Sequence, residues 1–173
     1  MRSIQWCRSG KGGDRVGVQN TRNMFARIAD FFLRHKRLIR WSTRFHIAVY
    51  RLTQGWMGGL ISGLPNLLLT TTGRKSGLKR TTPLFFLYDG NRFVVVASYG
   101  GNPKEPLWWK NLQADSQGWV EVGEKTFAVT ASVADEELKQ KLWPVFSRHY
   151  PSYDAYQARA GRDIPLVVLT PDE

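Results

Sequence analysis

RTTPLFFLYDGNRFVVVAS, residues 80–98, reads as two strands and the turn between them. Arg80–Tyr88 and Arg92–Ser98 are rich in Phe, Leu, Val and Thr, the aromatic and β-branched types that pack on a pleated surface. Asp89-Gly90-Asn91 is a strong hairpin signal, because glycine enters the φ > 0 region that a tight reversal needs. A second hairpin is expected from Val120–Val122 and Lys125–Val133 about Gly123-Glu124. Upstream, Leu67–Thr72 is apolar and then β-branched, and Gly73–Gly77 (GRKSG) turns the chain back toward Arg80. Short helices are expected at Leu107–Leu112 and Tyr153–Ala160. A longer one is expected at Asp135–His149, where Leu138, Leu142, Val145 and Phe146 share a face. Ile164–Leu169 reads as a last strand. Two hairpins without regular strand–helix–strand alternation argue for an α+β fold with a mostly antiparallel, curled sheet.

Charge divides the chain in two. Residues 1–55 hold twelve Lys/Arg against Asp14 and Asp30, a net of +10, whereas residues 56–173 hold thirteen against twelve Asp/Glu, a net of +1. A nucleic-acid-binding domain would carry its charge on the folded body, so that class loses ground. Residues 1–20 lack the apolar core of a signal peptide and are expected to be a flexible Gly/Arg-rich leader. Residues 21–55 are expected to be a basic amphipathic arm, helical from about Asn23 to Thr53. Phe25, Phe31, Phe32 and Phe45 fall on its apolar side, and Arg37, Arg40, Arg44 and Arg51 on the other. Two readings stay open for it: packing on its own domain, or lying on the inner, anionic face of a membrane. Residues 52–73 carry no charge over 22 positions, the length of a span, but Gly, Pro and Asn interrupt them. They read as a loop entering a buried strand. Residues 56–173 form the expected domain. Cys7 is the only cysteine, which fits a reducing cytoplasm, and His35, His46 and His149 show no metal-ligand spacing.

Three clusters could carry chemistry. TTTGRKSGLKR places Arg74, Lys75, Lys79 and Arg80 around a glycine-bounded turn, neither a P-loop nor a dinucleotide fingerprint but suited to phosphate or carboxylate. The competing reading is a solvated basic turn. ASYGGNPKEPLWWKNL offers Ser98, two glycines, Trp108, Trp109 and Asn111, a mix that suits a flat heteroaromatic ring, unless the tryptophans are core. HYPSYDAYQ sets Tyr150, Tyr153 and Tyr156 three apart, along one helix face. Each buried phenol needs a partner, which favours a pocket wall over plain core. A hydrolytic Ser98–His149–Asp154 triad lacks the nucleophile-elbow motif. Missing paired carboxylates point instead to chemistry carried by a bound cofactor.

Together, in this order, the clusters resemble the deazaflavin (F420)-dependent nitroreductase family of actinobacteria, from about Leu67 to Pro171. The resemblance implies a split β-barrel like the FMN-binding barrels, with the coenzyme in a groove. It implies that Arg74, Lys75, Ser76 and Arg80 hold the coenzyme's phosphate and acidic tail. It further implies that Thr81, Thr82, Pro83, Leu84 and Phe85 on one side flank the deazaflavin. Val96, Ala97, Ser98 and Tyr99 would do so on another, with Leu107, Trp108, Trp109, Lys110 and Asn111. Tyr150, Tyr153 and Tyr156 would line the acceptor side, Tyr153 nearest the ring, with Tyr153 and Ser98 as catalytic residues. Phe85 stands where the family commonly has Tyr, and Tyr99 where it commonly has Lys, so a hydroxyl and a cation are absent. The expected activity is hydride transfer from reduced coenzyme F420 to a quinone, nitroaromatic or enone. The alternatives are an FMN-dependent reductase on the same barrel and a non-enzymatic module that binds anionic lipid through its arm.

Overall fold

The computed structural model describes residue 45 and residues 47–53, 60–61 and 64–172. The expected leader and most of the arm lie outside these residues. Seven strands succeed one another in chain order: β1 (Leu60–Ile61), β2 (Leu64–Thr72), β3 (Lys79–Asp89), β4 (Arg92–Val96), β5 (Gln117–Val122), β6 (Lys125–Val133) and β7 (Leu166–Pro171). Among the described residues after β1, three helices accompany them: α1 (Leu107–Ala114), α2 (Glu136–His149) and α3 (Ser152–Ala160), with a 3-10 turn at Tyr99–Gly101.

The strands pair in the order β2-β3-β4-β7-β6-β5, every pair antiparallel, and β5 returns to β2 with Leu69 opposite Val120 and Thr70 opposite Trp119. The sheet thus closes into a six-stranded barrel, the split barrel expected, and closure leaves these strands no open edge. Both hairpins fall where the glycines put them. Asp89 pairs with Arg92 across Gly90 (φ 63°), and Val122 with Lys125 across Gly123 (φ 59°). Strand β4 ends at Val96, two residues before the sequence reading, because Ser98 (φ −74°, ψ −37°) has already left extended geometry.

Alternation along the strands builds two cores. Phe93, Val95, Val167 and Leu169 point into the barrel, which Leu67, Leu69, Phe86, Val120 and Val129 also fill. The intervening Val94, Val96, Leu166 and Val168 face the opposite way, onto Leu142 and Phe146 of α2 and Tyr153 and Ala160 of α3. Helix α2 starts on Asp135, whose carboxylate accepts the Leu138 N–H at 2.8 Å. Glu136 and Glu137 open it and Arg148 and His149 close it, matching the helix dipole.

Residues 47–52 are helical, ending at Thr53, whose N–H and hydroxyl both reach the Val49 carbonyl (2.9 and 2.7 Å). The buried Tyr50 hydroxyl donates to Asn66 O (3.0 Å) and accepts the Gly123 N–H (3.2 Å), while Arg51 pairs with Glu121 at 2.6 Å. The arm's end is therefore bonded to both β2 and the β5–β6 turn.

Candidate functional site

The cationic turn is shaped by its glycines. Gly73 N–H donates to Leu78 O (2.9 Å), and the Ser76 and Gly77 amides return to Gly73 O (3.0 and 2.8 Å). A Cβ at Gly73 would lie 2.9 Å from Ser76 Oγ and 3.1 Å from Leu78 O, so glycine lets the turn close without either having to shift. Arg74, Lys75, Ser76 and Arg80 are exposed. Lys79 is occupied: its ammonium donates to Thr72 Oγ1 (3.1 Å) and sits 3.4 Å over the Trp119 ring. Arg74, Lys75 and Arg80 meet no carboxylate among the described residues. Their charge is available to a polyanion.

Asn111 joins this turn to the barrel and to α1. Its side-chain oxygen accepts the Arg74 N–H (3.2 Å), and its amide nitrogen donates to the buried Thr71 hydroxyl (3.1 Å). Trp108 and Trp109 on the same helix are 6 % and 5 % exposed and pack into the barrel core. Leu107 is exposed and Lys110 half-buried.

The second cluster coils backward. Tyr99 (φ 49°), Gly100 (φ 62°) and Gly101 (φ 72°) succeed one another in the left-handed region, and Tyr99 is the one non-glycine there among the described residues. That conformation is strained for a tyrosine. The amides of Ser98, Tyr99 and Gly100 bond to no described acceptor, whereas the carbonyls of Ala97, Ser98 and Gly100 are taken by arginines. Arg159 donates to Gly100 O, and Arg162 donates to Ala97 O (3.0 Å) and Ser98 O (3.4 Å). Sequence reasoning missed both. Their only signal is a three-residue spacing across the end of the tyrosine helix.

The tyrosines meet as a cluster, though Tyr150 caps α2 rather than sharing α3's face with the other two. Ring centroids lie 5.3 Å apart for Tyr150–Tyr153, 6.1 Å for Tyr153–Tyr156 and 6.2 Å for Tyr150–Tyr156, and the Tyr150 and Tyr156 hydroxyls are 3.3 Å apart. Phe85 packs on Tyr150 at 5.8 Å, bringing β3 to the cluster. Burial, with a lesser contribution from the two neighbouring phenols, pushes the Tyr153 pKa far above that of a free tyrosine. Burial and the Tyr150 hydroxyl push Tyr156 up to about 12. Both stay protonated at neutral pH. Tyr153 is 5 % exposed, yet among the described residues its hydroxyl has no hydrogen-bond partner, and it is not sealed from solvent; the same holds for the Ser98 hydroxyl. These two free hydroxyls sit on the helix and the loop that Gly101 brings together. Asp154 belongs elsewhere, since it accepts from Trp143 Nε1 (3.0 Å) and Ser147 Oγ (2.6 Å).

The closed antiparallel barrel thus carries a cationic turn that meets no carboxylate among the described residues, and a cluster of three tyrosines. Residues 41–171 match the F420H(2)-dependent quinone reductase family. Over 131 residues, 73% of this chain, the sequence is 42% identical to an F420H(2)-dependent quinone reductase of Mycobacterium tuberculosis, of which it covers 88%. A solved F420-H2 dependent reductase superposes with a TM-score of 0.55 at 37% identity, over 61% of this chain and 93% of that one. A structure described as a domain-swapped dimer superposes with a TM-score of 0.57 at 33% identity, over 78% and 98%. The chain belongs to the F420H(2)-dependent quinone reductase family. It is an oxidoreductase, and its cofactor is coenzyme F420.

Proposed function

We propose that this enzyme passes a hydride from reduced coenzyme F420 to a quinone, at a site built from all three sequence clusters. The observation that carries the reading is that the clusters are stitched together: Asn111 to Arg74, Phe85 to Tyr150, and Gly101 onto the backbone of Tyr156. Segments far apart in sequence meet at three contacts, each involving a residue of the expected site.

The residues fit the coenzyme. Its phosphate and acidic tail need cations that no protein carboxylate has neutralised, and Arg74, Lys75 and Arg80, with Ser76 between them, supply these. Residues Thr81 to Phe85, Val96 to Tyr99, and Leu107 to Asn111 flank the ring, with the free amides of Ser98, Tyr99 and Gly100 at its edge. When bound, the reduced coenzyme supplies the hydride.

On the acceptor side, Tyr150, Tyr153 and Tyr156 with Phe85 form a wall of rings without a carboxylate, which suits a flat neutral quinone. Tyr153 serves as a hydrogen-bond donor rather than an acid. Its raised pKa keeps the proton in place, and its unpartnered hydroxyl polarises a quinone carbonyl as negative charge gathers there. Ser98 offers the second free hydroxyl, from the coenzyme's side. Mixing the protein with reduced coenzyme F420 and a soluble naphthoquinone, and following the coenzyme's visible absorbance, tests the reading. Oxidation by quinone that far exceeds oxidation by nitroaromatics supports it, and the reverse order assigns a nitroreductase instead.

A peripheral seat on an anionic membrane is favoured by one feature. Phe45 (63 % exposed), Ala48 and Leu52 (83 % exposed) recur at helical spacing and leave an apolar stripe uncovered, while Tyr50 faces the barrel. Among the described residues no helix is long and apolar enough to cross a membrane.

A further inference from the structure

Two side chains outside the assigned site hold its halves together. Helix α3 ends at Ala160, and Gly161 (φ 63°) reverses the chain. Gln157 fixes the segment beyond this reversal by donating to Arg162 O (2.9 Å) and accepting the Ile164 N–H (2.9 Å). Arg159 and Arg162 are thereby aimed back across the Ala97–Gly101 loop. Arg159 takes Gly100 O and lies 5.5 Å from the Tyr156 ring centre. Arg162 takes Ala97 O and Ser98 O with one nitrogen and Asp163 O (3.3 Å) with another. Neither arginine pairs with a carboxylate among the described residues. Under them the backbones nearly touch: a Cβ at Gly101 would lie 2.8 Å from Tyr156 Cα and 3.0 Å from Tyr156 O. The loop has little support of its own, only the Gly101 and Asn102 amides on Ser98 O and Tyr99 O (3.0 and 3.2 Å), and it carries the strained Tyr99.

We propose that Arg159 and Arg162 are positioning residues, a latch that holds the coenzyme loop against the tyrosine helix and so sets the distance over which the hydride moves. This rests on the site assignment above. Loop and helix belong to different sides of the reaction, and a loosened joint between them misplaces donor and acceptor without removing either. A misplacement near 1 Å costs roughly a hundredfold in rate. The two arginines differ in what they require. Arg159 makes one carbonyl contact, which a lysine can reproduce, whereas Arg162 spreads two nitrogens over three carbonyls, which a lysine cannot.

The test uses Arg159→Ala, Arg159→Lys, Arg162→Lys and Gly101→Ala. Gly100→Ala controls for backbone strain, since Gly100 shares the left-handed φ but has no atom within 4 Å of an added Cβ. In coenzyme-free protein, exchange of the bonded amides at residues 101 and 102 should accelerate in Arg159→Ala, Arg162→Lys and Gly101→Ala, with the melting temperature held in the two arginine variants. It should stay near wild type in Arg159→Lys and change less in Gly100→Ala. With coenzyme and quinone, the same three variants should lose roughly tenfold to a hundredfold in single-turnover hydride transfer, with less loss of coenzyme affinity than Arg74→Ala. Unchanged exchange and unchanged transfer in Arg159→Ala and Gly101→Ala together would overturn the latch and leave the coenzyme assignment standing. A wild-type protein that ignores the reduced coenzyme would overturn that assignment, and the exchange data would still judge the latch.

Discussion

Asn111 bonds to the backbone of Arg74 with one end of its amide, at 3.2 Å, and to Thr71 with the other, at 3.1 Å. The barrel wall, helix α1 and the cationic turn are thus tied through one buried side chain. Asn111→Leu keeps the volume and removes both bonds, leaving the Thr71 hydroxyl buried without its donor. A loss of about 1–3 kcal/mol in stability is expected, together with weaker coenzyme binding as the turn loses its anchor. Chemical denaturation and a coenzyme titration on the same variant check both. Retained affinity in a destabilised variant would separate Asn111 from the site.

Arg74→Ala and Lys75→Ala should each weaken coenzyme binding by about 1.5–3 kcal/mol, roughly tenfold to a hundredfold. Neither should lower the melting temperature, because both side chains are exposed and pair with no carboxylate among the described residues. Fluorescence titration at low and high salt reads the effect, which should shrink as salt screens the charge. A double variant with full affinity would make the turn a solvated surface feature.

Tyr153→Phe removes a hydroxyl that makes no hydrogen bond among the described residues, so stability should hold while turnover falls and coenzyme affinity stays close to wild type. Alkaline pH gives a second view. The folded pKa of Tyr156 is raised to about 12 from 10.0, and that of Tyr153 is raised further still. Below pH 10 these phenols are neutral, folded or unfolded, and contribute no pH dependence. Above it the unfolded chain ionises first, so stability declines as pH rises toward the folded values. Denaturation midpoints across this range should fall less steeply in Tyr156→Phe than in wild type. A normal turnover with a lowered melting temperature in Tyr153→Phe would return that residue to the core.

Vesicles of anionic lipid should bind the full chain at low salt and release it at high salt. Seven Lys/Arg from Arg22 to Arg44 can each contribute about 1 kcal/mol near such a surface, Arg51 being paired with Glu121. Phe45→Ser with Leu52→Ser should weaken the binding, since both apolar side chains are exposed. A truncation made to test the arm should begin before residue 47, because one starting at Trp56 also deletes the Tyr50 and Arg51 bonds to the barrel. Sedimentation with neutral and anionic vesicles decides, and indifference to both would leave the arm a packing element.

Much of the fold was legible because local signals and the closed barrel agree. Gly90 and Gly123 stand where the hairpins reverse, and β6 runs Lys125–Val133 as read. Closure of β5 onto β2 was not derivable from the strands themselves, since pairing between Leu69 and Val120 has no local signature. It came with the family resemblance. The site was legible as three motifs, but not how they join. Tryptophan's chemistry suits a ring platform and a core equally, so the motif alone does not say that Trp108 and Trp109 also pack against the barrel core. Arg159 and Arg162 escaped notice because a near-neutral body gives no charge signal, and their carbonyl partners lie about sixty residues back along the chain.

Binding of coenzyme F420 against flavin mononucleotide, followed by single-turnover oxidation of the reduced coenzyme with a naphthoquinone, tests the account most directly. Preference for the deazaflavin by at least about tenfold, one charge-assisted contact's worth at the unpaired cations, with rapid oxidation only when quinone is present, is the predicted result. Equal affinity for the two, or a stoichiometric flavin that co-purifies and accepts the hydride instead, would contradict it.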